Sequence, residues 1–267
     1  MQDKLFDEGA GRVEPPEPGL YLGTSGWSYS DWEGTLYTPG TPAAGRLPQY
    51  VRRFATVEID STFYGTPRAS TVDRWREIAP EGFRFAAKFP REITHDKHLA
   101  GAAREAEAFV RTMEPLGDRL GPLLLQLPPG FSVEGMEVLE KFLEELPEGF
   151  RYAVEVRHRS WVGSDLPAML GERGAALTLV DYPGMPRMEE FTASFVYIRL
   201  LGDRREFPGG HTHPKRDRAE DLRWWSALAD RALGEGREVY LYANNHYQNH
   251  SPSTLEEFLE VRQEDGR

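Results

Sequence analysis

Val57-Glu58-Ile59-Asp60-Ser61-Thr62-Phe63-Tyr64 alternates apolar and carboxylate side chains, then runs into hydroxyls and aromatic rings. Alternation with β-branched residues predicts a strand. Its parity sends Val57 and Ile59 to one face and Glu58 and Asp60 to the other, and that second face is too polar for an ordinary core. The interior of a barrel of parallel strands can receive it, because catalytic and binding groups collect at the C-terminal mouth.

The rest of the chain supplies the other staves. Besides 57–64, strand-like runs occupy residues 20–24, 83–88, 122–127, 152–157, 175–181, 195–200 and 238–243. The run Leu123-Leu124-Leu125 is nearly continuously apolar, as in a strand covered on both faces. Between the runs, hydrophobic residues recur at helical spacing: Leu47, Tyr50 and Phe54; Val72 and Trp75; Ala106, Phe109 and Met113; Leu139, Phe142 and Leu146; Leu222, Trp225 and Leu228. A short helix is expected near 166–170, and a last one after Ser253, whose spacing to Glu256 is that of a capping box. The connection holding Pro183, Gly184 and Pro186 is too short for a full helix. Eight strand-like runs alternating with seven helical stretches and one abbreviated connection, joined by right-handed crossovers, predict an α/β fold: a (β/α)8 TIM barrel with its sixth helix abbreviated. The expected limits are a flexible tail over 1–19, one barrel domain over 20–262 and a C-terminal tail over 263–267. The structural alternative, an open doubly wound sheet, normally carries G-x-G-x-x-G after its first strand, and Gly23-Thr24-Ser25-Gly26 does not fit it.

Composition narrows function only by class. With 32 Lys and Arg against 43 Asp and Glu, the formal charge of -11 opposes broad adhesion to nucleic acid or anionic membrane. There are no cysteines, hence neither disulfides nor a thiolate metal site. The first residues, acidic and proline-containing, do not read as a signal peptide, and no stretch is apolar enough to span a bilayer, so a cytoplasmic protein is expected. No partner protein is predicted, and the residues leave the cofactor unknown.

Polar residues fall late in their strands. Glu58, Asp60, Lys88, Gln126, Glu155, Arg157, Arg199 and Asn244 all lie at or just past strand ends. Burying so many polar groups costs several kcal/mol each unless partners or a ligand satisfy them. Glu58 and Glu155 are the leading acid/base candidates, with Lys88 a third candidate catalytic group. Asp60, Gln126, Arg157, His158, Arg199, Asn244, Asn245 and His246 are expected to bind a small polar or anionic ligand, and Trp27, Tyr29 and Tyr64 to stack on it. The basic loop from Arg204 to Arg218 could clamp a phosphate. The bland alternative is a self-neutralising network in which Lys88, Arg157 and Arg199 pair with Glu58, Asp60 and Glu155. Three mechanisms suit these residues: hydrolysis with Glu58 and Glu155 as acid and base; phosphoester cleavage by a cation held on Glu58, Asp60, Glu155 and nearby histidines; and Schiff-base formation at Lys88, which needs a flanking cation or apolar pocket to depress its pKa. A noncatalytic ligand-binding protein is the remaining possibility. The histidine pair His211 and His213 lacks metal-site spacing, and no metal ligand set is assigned.

Six motifs in order resemble the YecE-like family: Gly23-Thr24-Ser25-Gly26-Trp27-Ser28-Tyr29, the opening stretch, Ile93-Thr94-His95, Leu124-Leu125-Gln126-Leu127-Pro128-Pro129, Glu155-Val156-Arg157-His158 with Trp161, and Asn244-Asn245-His246. The resemblance runs from about Leu20 to Leu259. It implies a TIM barrel and supplies no reaction, since the family has no settled one. By fold analogy alone it brings to mind xylose-isomerase-like and endonuclease IV-like barrels. Two positions depart from the family pattern: Asp60 stands where Asn is usual, and Leu201 where His commonly precedes glycine.

Overall fold

The computed structural model describes residues 14–264 and 266. Eight parallel strands form one sheet: β1 (Leu20–Thr24), β2 (Thr56–Ile59), β3 (Arg84–Lys88), β4 (Leu120–Gln126), β5 (Tyr152–Glu155), β6 (Ala176–Asp181), β7 (Phe195–Leu200) and β8 (Glu238–Ala243). The strand order β1-β8-β7-β6-β5-β4-β3-β2 brings the two ends of the sheet together as a nearly closed (β/α)8 barrel. Among the described residues seven α-helices surround it: α1 (Ala43–Tyr50), α2 (Ala69–Ile78), α3 (Ala103–Met113), α4 (Met136–Glu144), α5 (Leu166–Glu172), α6 (Ala219–Gly234) and α7 (Ser251–Glu264). None of the described helices is long and apolar enough to cross a membrane.

Strand parity separates two apolar layers. Val57, Ile59, Phe85, Leu123, Leu125, Val154, Ile198 and Leu241 face the helices, joining Phe109, Leu139 and Trp225 in one buried cluster. The alternate residues fill the barrel, where size is graded around the ring. Ala86, Ala153 and Ala176 supply the small side chains, while Tyr21, Tyr197, Tyr240 and Tyr242 supply the large ones. The rings pack in tiers, Tyr21 stacked on Tyr240 at 4.8 Å and Tyr197 against Tyr242 at 5.0 Å. Large residues opposite small ones fill an eight-stranded interior at crystal-like density.

Between β1 and β2 the ladder is reduced to a bridge at Ser25 and Glu58, with the Gly26 N–H donating to the Glu58 carbonyl at 2.8 Å. Below that point a side chain completes the seam. The Tyr50 hydroxyl accepts from the Thr24 N–H at 2.9 Å and donates to the Thr56 carbonyl at 3.0 Å, standing in for a missing ladder bond. The strands can approach only because Gly23 has no side chain: a Cβ there would lie 2.2 Å from the Thr56 oxygen.

Several boundaries differ from the sequence expectation. β2 stops at Ile59, and Asp60 turns into helical dihedrals (φ −75°, ψ −26°) to begin a 3-10 turn over Ser61–Tyr64. Asp60 therefore reaches the mouth from a turn rather than by strand parity. β5 ends at Glu155, leaving Arg157 in the following loop. The loop bearing His95 winds into a π-type turn, Glu92–Asp96. α7 begins at Ser251, so Ser253 lies inside it, and its N–H donates to His250 Nδ1 at 3.3 Å. The sixth connection, 182–194, has no helix at all. In its place Arg187 covers the barrel, pairing with Asp181 at 2.6 Å and lying 5.0 Å over the Trp224 ring. Of the expected N-terminal tail, residues 1–13 lie outside the described residues, and Glu17 pairs with Arg262 at 2.5 Å.

Because Tyr50, Thr24 and Thr56 are fully buried, Tyr50→Phe strands a donor and an acceptor. It is expected to cost about 1–3 kcal/mol and to lower the thermal midpoint by several degrees, whereas Tyr64→Phe, at an exposed position, leaves it unchanged. Equal midpoints for the two variants would contradict the seam assignment.

Candidate functional site

Three strands converge on one guanidinium. Arg199, at the end of β7, donates Nη1 to Glu155 Oε2 of β5 and Nη2 to Glu58 Oε1 of β2, both at 2.6 Å. Tyr197, one pleat below, donates its hydroxyl to Glu58 Oε2 at 2.7 Å. Arg157 donates Nε to Glu155 Oε1 and lies 4.0 Å over the Tyr182 ring. All four carboxylate oxygens thus accept a strong hydrogen bond, the condition under which buried charge is tolerable. Both carboxylates and Arg199 are buried. Burial alone would raise the Glu155 carboxyl, but Arg157 and Arg199 outweigh it and bring it down to about 2.

Lys88, at the end of β3, is treated differently. Its Nζ makes no hydrogen bond or ion pair with the described residues and sits 4.1 Å over the Phe63 ring. Burial first, then the nearby Arg199 charge, lowers its pKa, while Asp60, Glu155 and Glu58 act in the opposite sense. Asp60 lies on the solvent side of Arg199, at 3.9 Å from Nη2 with its side chain 34% exposed. Burial and then the Glu58 charge raise its carboxyl to about 7, against Arg199 and Lys88. The mouth therefore has a floor of Glu58, Arg199 and Glu155 joined by hydrogen bonds, and above it Asp60, whose carboxyl is raised, and Lys88, whose amine is lowered.

Tyr29 stands beside them: its phenol donates to the Ser25 carbonyl at 2.9 Å and is pushed up by burial and then by Asp60 and Glu58. His95, absent from the expected site, packs 4.9 Å from Phe63 and is lowered to about 4 by burial and then by Lys88. Gln126 is nearly buried and donates to the Leu127 carbonyl at 3.0 Å. Asn244 accepts the His246 N–H at 3.0 Å, and His246 Nδ1 donates to the Phe207 carbonyl at 2.8 Å. Both line a cavity of about 360 Å3 beside Arg157.

Other expected residues are directed elsewhere. Asn245 is buried, its Oδ1 accepting from Trp32 Nε1 at 3.2 Å and from Ser251 at the start of α7, so it ties a loop to a helix. His158 caps the turn at Arg159–Trp161 by accepting the Ser160 N–H at 3.2 Å. Trp27 packs edge-on to Trp75 at 5.9 Å. Tyr64 is 82% exposed and touches Phe63 at the rim. Most of the basic loop is spent on local pairs, Arg216 with Glu206 and Arg218 with Asp221, leaving Arg204 and Arg205 on the cavity. Among the described residues no group of three or more His, Asp or Glu side chains is arranged to hold a metal ion. The reason is local: the oxygens of Glu58 and Glu155 are occupied by Arg199, Arg157 and Tyr197.

The depressed Glu155 pKa has a signed consequence. A carboxyl held below its unfolded value, near ~4.3, adds stability that is complete above that pH and is lost as pH falls towards 2. In urea unfolding between pH 5 and 2.5, wild-type stability should fall by about 2 kcal/mol more than that of Glu155→Gln. Parallel slopes would show that Glu155 is not held as an ion.

Comparison with known proteins gives the same architecture. The chain is 37% identical over 139 residues to the UPF0759 protein YecE of Escherichia coli (strain K12), covering 52% of this chain and 48% of that protein. It is 28% identical over 149 residues to the UPF0759 protein YunF of Bacillus subtilis (strain 168), covering 53% and 52%. The matches thus span about half the length of these curated relatives. A crystal structure of a DUF72 family protein from Thermotoga maritima MSB8 superposes with a TM-score of 0.77 at 28% identity, over 93% of this chain and 99% of that one. The profile described as "Protein of unknown function DUF72" matches residues 21–267, and the chain belongs to that family.

Proposed function

We propose that this protein is an enzyme acting on a small polar, anionic or sugar-like ligand at the C-terminal mouth, with Asp60 and Lys88 as its proton-transfer pair. The observation that carries this reading is the uneven pairing at the mouth. Arg199 and Arg157 absorb Glu58 and Glu155, while Lys88 has no carboxylate at bonding distance among the described residues. A general acid or base works best when its pKa lies near the operating pH. Asp60, raised to about 7, meets that requirement, and burial followed by the Arg199 charge moves Lys88 down from its ordinary value, in the direction of it. Glu155, at about 2, holds no proton to give at neutral pH, which argues against the two glutamates as the acid/base pair and assigns them to the floor.

Lys88 also meets the condition for a nucleophilic amine, with a flanking cation and an aromatic wall in place of an ion-pair partner. In that second mode Nζ would attack a substrate carbonyl and expel water to give an imine, with Asp60 placed to carry the proton.

Pooled polar metabolites incubated with purified protein and followed by mass spectrometry test the proposal. At least one compound should be consumed and a product formed, and Asp60→Asn and Lys88→Met should each slow consumption at least a hundredfold with unfolding midpoints little changed. Ligand recovered unchanged from the wild-type protein would make this a binding protein. Undiminished turnover in both variants would remove the pair from the chemistry. Borohydride added during turnover separates the two modes, since only an imine leaves the substrate carbon skeleton on Lys88.

A further inference from the structure

We propose that the cavity between the loops following β7 and β8 is a binding subsite for a phosphate monoester. The inference rests on the reading of the mouth as a ligand site and names the class of ligand it takes. The cavity, about 360 Å3, is of the size that receives small organic ligands. Arg157, Asp203, Arg204, Arg205, Asn244 and His246 supply its polar lining.

The charges in this lining do not cancel. Asp203 is matched by its neighbour: it accepts the Arg205 N–H at 2.9 Å and that residue's Nε and Nη2 at 3.1 and 2.8 Å. Arg157 gives only Nε to Glu155, so its two terminal nitrogens make no hydrogen bond with the described residues while Tyr182 holds the guanidinium plane. Arg204 is exposed and has neither an ion pair nor a hydrogen bond among the described residues. Among the described residues, the Arg204 guanidinium and the two terminal nitrogens of Arg157 therefore remain without a partner on one cavity.

Neutral groups add direction to that charge. The Asn244 carbonyl oxygen accepts the His246 N–H, which orients the amide and leaves its NH2 to donate. His246 is fixed through Nδ1 on the Phe207 carbonyl, leaving Nε2 for a ligand oxygen. The backbone beneath is equally fixed: Gly202 takes φ +66°, and a Cβ there would fall 2.0 Å from the His246 carbonyl oxygen, so the two loops are locked together. Planar forks and an amide converging from separate loops suit a tetrahedral oxyanion with several acceptor oxygens. The remaining volume, walled by Tyr182 and Leu201, holds the organic portion. Because Arg157 bonds both the subsite's occupant and Glu155, a phosphate seated there directs the rest of the molecule towards the floor of the mouth.

Isothermal titration with inorganic phosphate, glycerol 3-phosphate and glycerol tests the subsite on the full chain. Phosphate and glycerol 3-phosphate should bind and glycerol should not. Arg204→Ala should weaken both by roughly tenfold, while Arg216→Ala, whose guanidinium is tied to Glu206, binds as the wild type does. Glycerol 3-phosphate binding no better than glycerol, or Arg204→Ala binding it undiminished, overturns the proposal. The two proposals fail separately. Phosphate affinity without any metabolite turned over leaves the subsite standing and removes the chemistry. Turnover of an unphosphorylated compound by a protein blind to phosphate does the reverse.

Discussion

Arg199 occupies the place in a parallel barrel where an unpaired charge is least tolerable, at the top of an interior otherwise filled by tyrosines and alanines. Its guanidinium meets a carboxylate on each side, one from β2 and one from β5, and the phenol of Tyr197 closes the remaining oxygen of Glu58. Removing any one partner leaves a buried charge unmatched, a loss of several kcal/mol in typical proteins. Three strands distant in sequence are thereby bound to a common register at the mouth. The same neutralisation decides which groups remain available: with both glutamates committed, Lys88 and Asp60 are the groups proposed to carry proton transfer.

The architecture beneath follows from side-chain size and one seam. Small residues on β3, β5 and β6 make room for the rings of β7 and β8. Where β1 and β2 run together without a full ladder, Gly23 permits the approach and Tyr50 supplies the missing hydrogen bonds. Above, Gly202 allows the loops after β7 and β8 to touch. The mouth is thus rigid on the side of β7 and β8 and carries an exposed aromatic, Tyr64, on the side of β2.

Much of this was legible in the chain, through alternation and order. Parity placed Glu58, Lys88, Glu155 and Arg199 on inward positions because a strand's period of two leaves little choice once one face is apolar. The same rule failed at Asp60, since the strand had already ended and the residue's direction came from a turn. Pairing partners were not legible: that Arg199 would take both glutamates while Lys88 took none depends on the closure of β2 against β7 across the interior, a contact with no local signature. Neighbours in one motif also diverged. Asn244 faces the cavity, whereas Asn245 is drawn under Trp32 and α7, because the chain there leaves the extended conformation and alternation no longer predicts direction. Membership of the DUF72 family agrees with the fold and is silent on the reaction.

Lys88 is an amine with no ion-pair partner among the described residues, beside a permanent cation. Labelling the side-chain nitrogens of lysine and titrating them by NMR tests it most directly, since the chain has four other lysines, at positions 4, 97, 141 and 215, to serve as internal references. One resonance, abolished by Lys88→Met, should titrate clearly below the others. A Lys88 resonance that titrates with them, or above them, would contradict it.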